Sequence, residues 1–129
     1  MPTPPELNEE FRSQAERTAA QAELRRLGYH LREVMTAADG AGSVPPWLTD
    51  ELRKPLRGHV ESPGERLARY RNVFADELQA LDDALVSADN NQLDDYSLRA
   101  ARYLARRLLA TLLDCPSSEV THRLPARPG

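Results

Sequence analysis

The sequence predicts an all-α protein, a small helical bundle of four to five helices built around a long C-terminal helical hairpin. Three observations predict it. Apolar residues recur at spacings of three and four in long segments, which gathers them on single helix faces. Strand-like alternation appears nowhere, and no internal repeat is present. Proline and glycine fall between the periodic segments, with Gly28 the interior exception.

The elements follow in order. Residues 1–6 carry Pro2, Pro4 and Pro5 and read as an extended, flexible start. Residues 7–38 are helical: Phe11, Ala15, Ala19 and Ala22 form a weak apolar stripe, and Leu24, Leu27, Leu31, Val34 and Ala38 a stronger one. Gly28 interrupts this helix at a cost of about 1 kcal/mol relative to Ala, which permits a bend. Asp39-Gly40-Ala41-Gly42-Ser43 ends it, since glycine takes the left-handed conformation that terminates helices. Pro45-Pro46-Trp47 opens a short helix over 46–54, stopped by Pro55, and residues 56–61 form a linker.

Ser62-Pro63-Gly64-Glu65 has the form of a capping box, and the helix behind it is expected to run to residue 88. Leu67, Tyr70, Phe74, Leu78, Leu81 and Leu85 share its apolar face. The last helix covers 93–114, with Asp94 and Asp95 suited to its positive N-terminus and Cys115-Pro116 closing it. Leu98, Ala101, Leu104, Ala105, Leu108 and Leu112 make its apolar face. Phe74 and Leu108, in the two strongest stripes, are expected to point inward. Residues 7–114 thus form one domain, and residues 115–129, with little to bury, form a disordered tail.

Composition narrows the function classes. The 129 residues suit one domain, and two Phe, four Tyr and one Trp leave the core mainly to Leu and Ala. A net charge of −3 differs from the basic balance of a generic nucleic-acid binder. Lys54 is the only lysine among 17 basic residues, a bias that GC-rich coding explains and that makes the positive chemistry that of guanidinium. Cys115 is the only cysteine, so no internal disulfide forms. With no spanning apolar run and no signal-like start, a soluble, cytoplasmic protein without membrane contact is expected.

Charge is segregated along the hairpin. Asp76, Glu77, Asp82, Asp83, Asp89, Asp94 and Asp95 lie between Asn72 and Leu98 with no basic residue among them. Arg66, Arg69 and Arg71 precede them, and Arg99, Arg102, Arg106 and Arg107 follow. Folding the hairpin at residues 89–92 gives a rod with opposed poles, suited to head-to-tail association. Asp82, Asp83 and Asp89 sit where the helix macrodipole disfavours negative charge, so local helix stability does not explain them. They serve solubility, or they meet a basic surface together with Asp76. Arg99, Arg102 and Arg106 share one helix side, expected to lie opposite the leucine stripe and exposed. They would form either a solvated polar face or a phosphate track, with Tyr103 as a stacking platform and with Arg66, Arg69 and Arg71 brought close by the hairpin as further nucleic-acid contacts.

Catalytic and metal signatures are weak. His30 and Glu33 are one turn apart but lack further ligands, and His30, His59 and His122 occupy different segments. Cys115 reads as a helix-end residue, and no phosphate loop or nucleophile elbow appears. No cofactor is expected. Trp47 is either a core plug or an exposed anchor at a subunit interface.

The segment Arg69-Tyr70-Arg71-Asn72-Val73-Phe74-Ala75-Asp76-Glu77-Leu78 and the arginine-rich stretch 98–113 resemble the helical small subunits of multi-subunit CRISPR effector complexes. The resemblance implies copies of the chain stacked head to tail in a larger protein complex. They would contact guide RNA or the target nucleic-acid backbone without cleaving it. Arg99, Arg102, Arg106 and Arg107 would inherit that contact, helped by Lys54 and Arg57. The alternative is a helical protein-binding regulator or assembly factor with no nucleic-acid contact. An enzyme of the small all-helical mutase kind would need convergent arginines and an acid inside a pocket.

Overall fold

A computed structural model describes residues 13–40, 44–52 and 63–124, and among them every regular element is helical. The first helix, α1, spans Gln14–Ala38; Ser13 caps it by accepting from the Glu16 amide at 3.2 Å. Gly40, at φ 73°, provides the left-handed residue just past its end. Ala20, Leu24, Leu27, Leu31 and Val34 are buried along one side. Ala15, Ala19 and Ala22, expected as a second apolar stripe, are instead exposed. The rotation of α1 is set by its stronger stripe, and it carries Ala20 inward in their place. Phe11 lies outside the described residues.

Helix α2, Pro46–Leu52, seats Leu48 with no exposed surface and lays Trp47 edge-on to His30 of α1, ring centroids 5.2 Å apart. The expected extension to Lys54 and the Ser62 cap fall outside the described residues.

The single helix expected over 62–88 is two. Helix α3 spans Pro63–Val73 and α4 spans Ala75–Asp89, divided at Phe74, whose backbone sits at φ −108°, ψ 23°. The hydrogen-bond ladder survives the break: Phe74 donates to the Tyr70 carbonyl at 3.0 Å and accepts from the Leu78 amide at 2.9 Å. Phe74 is half-buried, its ring 5.1 Å from that of Tyr70, and the aromatic pair holds the two helices at the junction. The Tyr70 hydroxyl in turn donates to the Leu108 carbonyl at 2.8 Å, and burial pushes its phenol pKa upward.

The hairpin turns through Asn91, left-handed at φ 55°, and Asp94 caps the next helix by accepting from the Ser97 amide at 2.7 Å. Helix α5, Asp95–Leu113, is the centre of the bundle. It packs against α1 on one side, α4 on another and the C-terminal segment at its end. Its buried set therefore spreads beyond the predicted stripe to Arg99, Leu109, Ala110 and Leu113, while Leu108 is buried as expected.

The expected disordered tail is ordered to residue 124. A 3-10 turn at Ser117–Glu119 leads into α6, Val120–Arg123. Val120 and Leu124, four residues apart, both reach the core, and Arg26 of α1 donates to the carbonyls of Thr121 and Leu124 at 3.3 and 3.2 Å. Two apolar side chains at helical spacing suffice to dock a segment that composition alone describes as polar. Residues 125–129 lie outside the described residues.

Gly28 marks a close approach within an unbroken α1. A Cβ added there would stand 2.5 Å from Leu85 Cδ2, so the missing side chain is what lets α4 press onto α1. Ion pairs fix the directions: α1 runs parallel to α5 (Arg17 with Asp95, Glu23 with Arg106) and antiparallel to α4 (Arg25 with Asp89, Arg32 with Asp82).

Candidate partner-binding surface

The arginine face of α5 is not the solvated track that its spacing suggested. Because α5 is central, its arginine side also meets α1, and Leu109 and Leu113 are buried beside Arg102 and Arg106. Arg99 is only 7% exposed. Arg102 Nη1 lies 3.5 Å from Glu23 Oε2, and Arg106 donates through Nε and Nη2 to Glu23 Oε1 at 2.8 and 2.5 Å. One carboxylate of α1 thus holds two of the three arginines, each about three-quarters covered. Arg107 is exposed, its guanidinium 5.7 Å from the Tyr103 ring centroid.

The arginines of α3 are likewise placed by the fold. Arg66 is buried and donates to the Leu112 carbonyl at the C-terminal end of α5, which satisfies one of the carbonyls a helix end leaves open. Arg71 pairs with Asp39 beyond the end of α1, and Arg69 is exposed. Lys54 and Arg57 lie outside the described residues.

The acidic pole is largely countered from within. Arg17 of α1 pairs with Asp95 and donates to the Leu93 carbonyl. Arg25 approaches Asp89 at 3.6 Å, and Arg32 Nε donates to Asp82 at 3.0 Å. A third helix of mixed charge therefore crosses the rod that the hairpin alone would form. Asp76 and Glu77 are exposed, and Asp83 accepts from Gln79 at 3.0 Å. Among the described residues no basic side chain pairs with Asp76 or Asp83. Asp94 is exposed, and its carboxyl is held below the usual carboxylate range by the Ser97 backbone and side-chain hydrogen bonds, with Arg17 and Arg99 adding to the effect.

His30 is fully buried; its Nδ1 lies 2.9 Å from Glu33 Oε1, and Tyr29 and Trp47 meet its ring edge-on. Trp47 is half-buried, with its indole nitrogen inside, so it packs against the core as a plug and presents little anchor surface. Among the described residues no group of three or more His, Cys, Asp or Glu gathers as metal ligands. Nor is any helix among them long and apolar enough to cross a membrane. Cys115 sits half-buried just past α5.

The sequence did not point to the α1–α4 groove of about 550 Å³. Leu31 and Met35 of α1 and Leu78 and Leu81 of α4 supply its apolar surface, the Arg32–Asp82 pair lines it, and Asp39 and Arg71 flank it. Gly28 and the half-buried Met35 also line it, and a periodicity count weighs neither. Protein-family models, characterised proteins and solved structures were all compared with the chain, and none matches it.

Proposed function

We propose that the chain is a non-catalytic helical subunit that binds other proteins, as a regulator or assembly factor, and that nucleic acid is not its principal partner. The observation that carries this reading is the commitment of the arginines. A phosphate at Arg102 or Arg106 would compete with Glu23 for side chains only about a quarter exposed, and Arg66 and Arg99 are buried. Breaking a largely covered, hydrogen-bonded ion pair costs about as much as a single phosphate contact returns. The accessible surface that remains includes an apolar-floored groove and an acidic outer edge, which suit a protein partner.

A second reading keeps the chain as a small subunit stacked head to tail in an RNA-guided ribonucleoprotein. Exposed Arg107 beside Tyr103 favours it, since a guanidinium over a tyrosine ring suits stacking against a single strand. Electrophoretic shifts with single-stranded RNA and duplex DNA separate the two. The protein-binding reading expects affinities weaker than about 100 μM at physiological salt. Saturable binding near 1 μM, weakening steeply with salt, would overturn it in favour of the second.

A further inference from the structure

We infer that the groove between α1 and α4 receives one amphipathic helix of a partner protein, with an apolar seam and a lysine- or arginine-bearing edge lying over α4. The inference rests on the protein-binding reading and adds the chemistry of the partner. The groove follows α1 from Gly28 to Asp39, which at about 1.5 Å per residue is about 16 Å, or three helical turns. Two antiparallel helices with an apolar seam between them offer a third helix the packing it would find in a bundle. Val86, 50% exposed on α4, extends the apolar surface beside this seam.

Charge selects the occupant. The cations at the groove are already answered, Arg32 by Asp82 and Arg71 by Asp39. Asp76 and Asp83 follow the groove-lining residues Ala75 and Asp82 on α4, are exposed, and lack a basic partner among the described residues. The α4 edge is therefore negative, and a basic flank on the incoming helix complements it. The same acids disfavour a second copy of this chain seated with its α4 edge against this one, because two negative edges would then meet. They disfavour a nucleic acid for the same reason.

Two labelled helical peptides of about 18 residues, five turns, test the inference. Both carry one leucine seam; one bears lysines and the other glutamates on the flank. Fluorescence anisotropy against the full chain should show the lysine peptide bound at least about tenfold more tightly. The exposed double change Asp76→Lys with Asp83→Lys should reverse that preference while lowering the melting temperature by no more than about 8 °C, since Asp76 lies in the first turn of α4. Equal binding of both peptides, binding of neither, or a preference that survives the charge reversal would overturn the groove inference. So would a dimer in sedimentation equilibrium whose formation excludes the lysine peptide. Labelled single-stranded RNA in the same assay keeps the two levels apart: tight RNA binding refutes the protein-binding reading, whereas peptide failure with a blank RNA arm refutes the groove alone.

Discussion

Replacing Glu23 with Gln tests the placement of α1 on α5. The carboxylate bridges Arg102 and Arg106, and its side chain is 20% exposed against 22% and 25% for the two arginines. An exposed pair contributes about 0–1 kcal/mol, while breaking a fully buried one costs about 3–5 kcal/mol. A site about three-quarters covered falls between these, at about 2 kcal/mol. In a domain of this size that lowers the melting temperature by about 8 °C. Thermal melts followed by far-ultraviolet circular dichroism measure it directly. A charge swap, Glu23→Arg with Arg106→Glu, should recover part of the loss, because partners in contact couple. The substitution also releases two guanidiniums, so any residual RNA affinity should gain about 0.7 in salt slope for each. A Glu23→Gln melt within about 1 °C of the parent would refute the pairing and return the arginines to solvent.

Two further perturbations probe other parts of the fold. Asp94 has a lowered folded pKa, so the stability it contributes is present above its unfolded value of about 3.9 and is lost as pH falls through the folded one. Urea titrations should therefore show the parent losing stability on acidification below about pH 5 more steeply than Asp94→Asn; parallel acid limbs would deny the cap. Leu124→Ala should cost about 2 kcal/mol, the lower end for a buried leucine, because the site lies at the end of a short helix. An unchanged urea midpoint would show that α6 does not dock.

Much of the fold was legible because the core is made by periodicity. The stripes from Leu24 to Val34, from Leu67 to Leu85 and from Leu98 to Leu112 are buried along nearly their whole length, and the hairpin turns where expected, though Asp94 caps the last helix and does not belong to its first turn. What periodicity cannot say is how many sides of a helix are covered. A helix packed on one side shows its charges to water, but α5 is packed on several, so its arginines meet Glu23 instead of solvent. Nothing local to residues 95–113 distinguishes the two cases, because the partner lies more than 70 residues earlier in the chain. The division at Phe74 escaped for a related reason. No proline or glycine marks it, and the contact with Tyr70 that accompanies it is tertiary. Gly28 was visible, but as a weakness of α1; its use as a gap for Leu85 appears only once α4 is in place.

The ion pairs between α1 and the hairpin explain the acidic run better than solubility does. Arg17, Arg25 and Arg32 recur at intervals of eight and seven residues along α1, and they meet Asp95, Asp89 and Asp82 in order around the turn. Two of these pairs are about half exposed and individually contribute no more than about 1 kcal/mol, so stability is a poor account of them. Register is a better one. Sliding α1 by one turn, about 5.4 Å, would leave leucines facing leucines, since the apolar stripe repeats at that interval. It would also break the cross-helix pairs together and set Gly28 away from Leu85. Asp82 and Asp89, which local helix energetics disfavour, are thus among the marks that α1 reads when it docks. Asp76 and Asp83, which α1 does not use, are the charge left over for a partner.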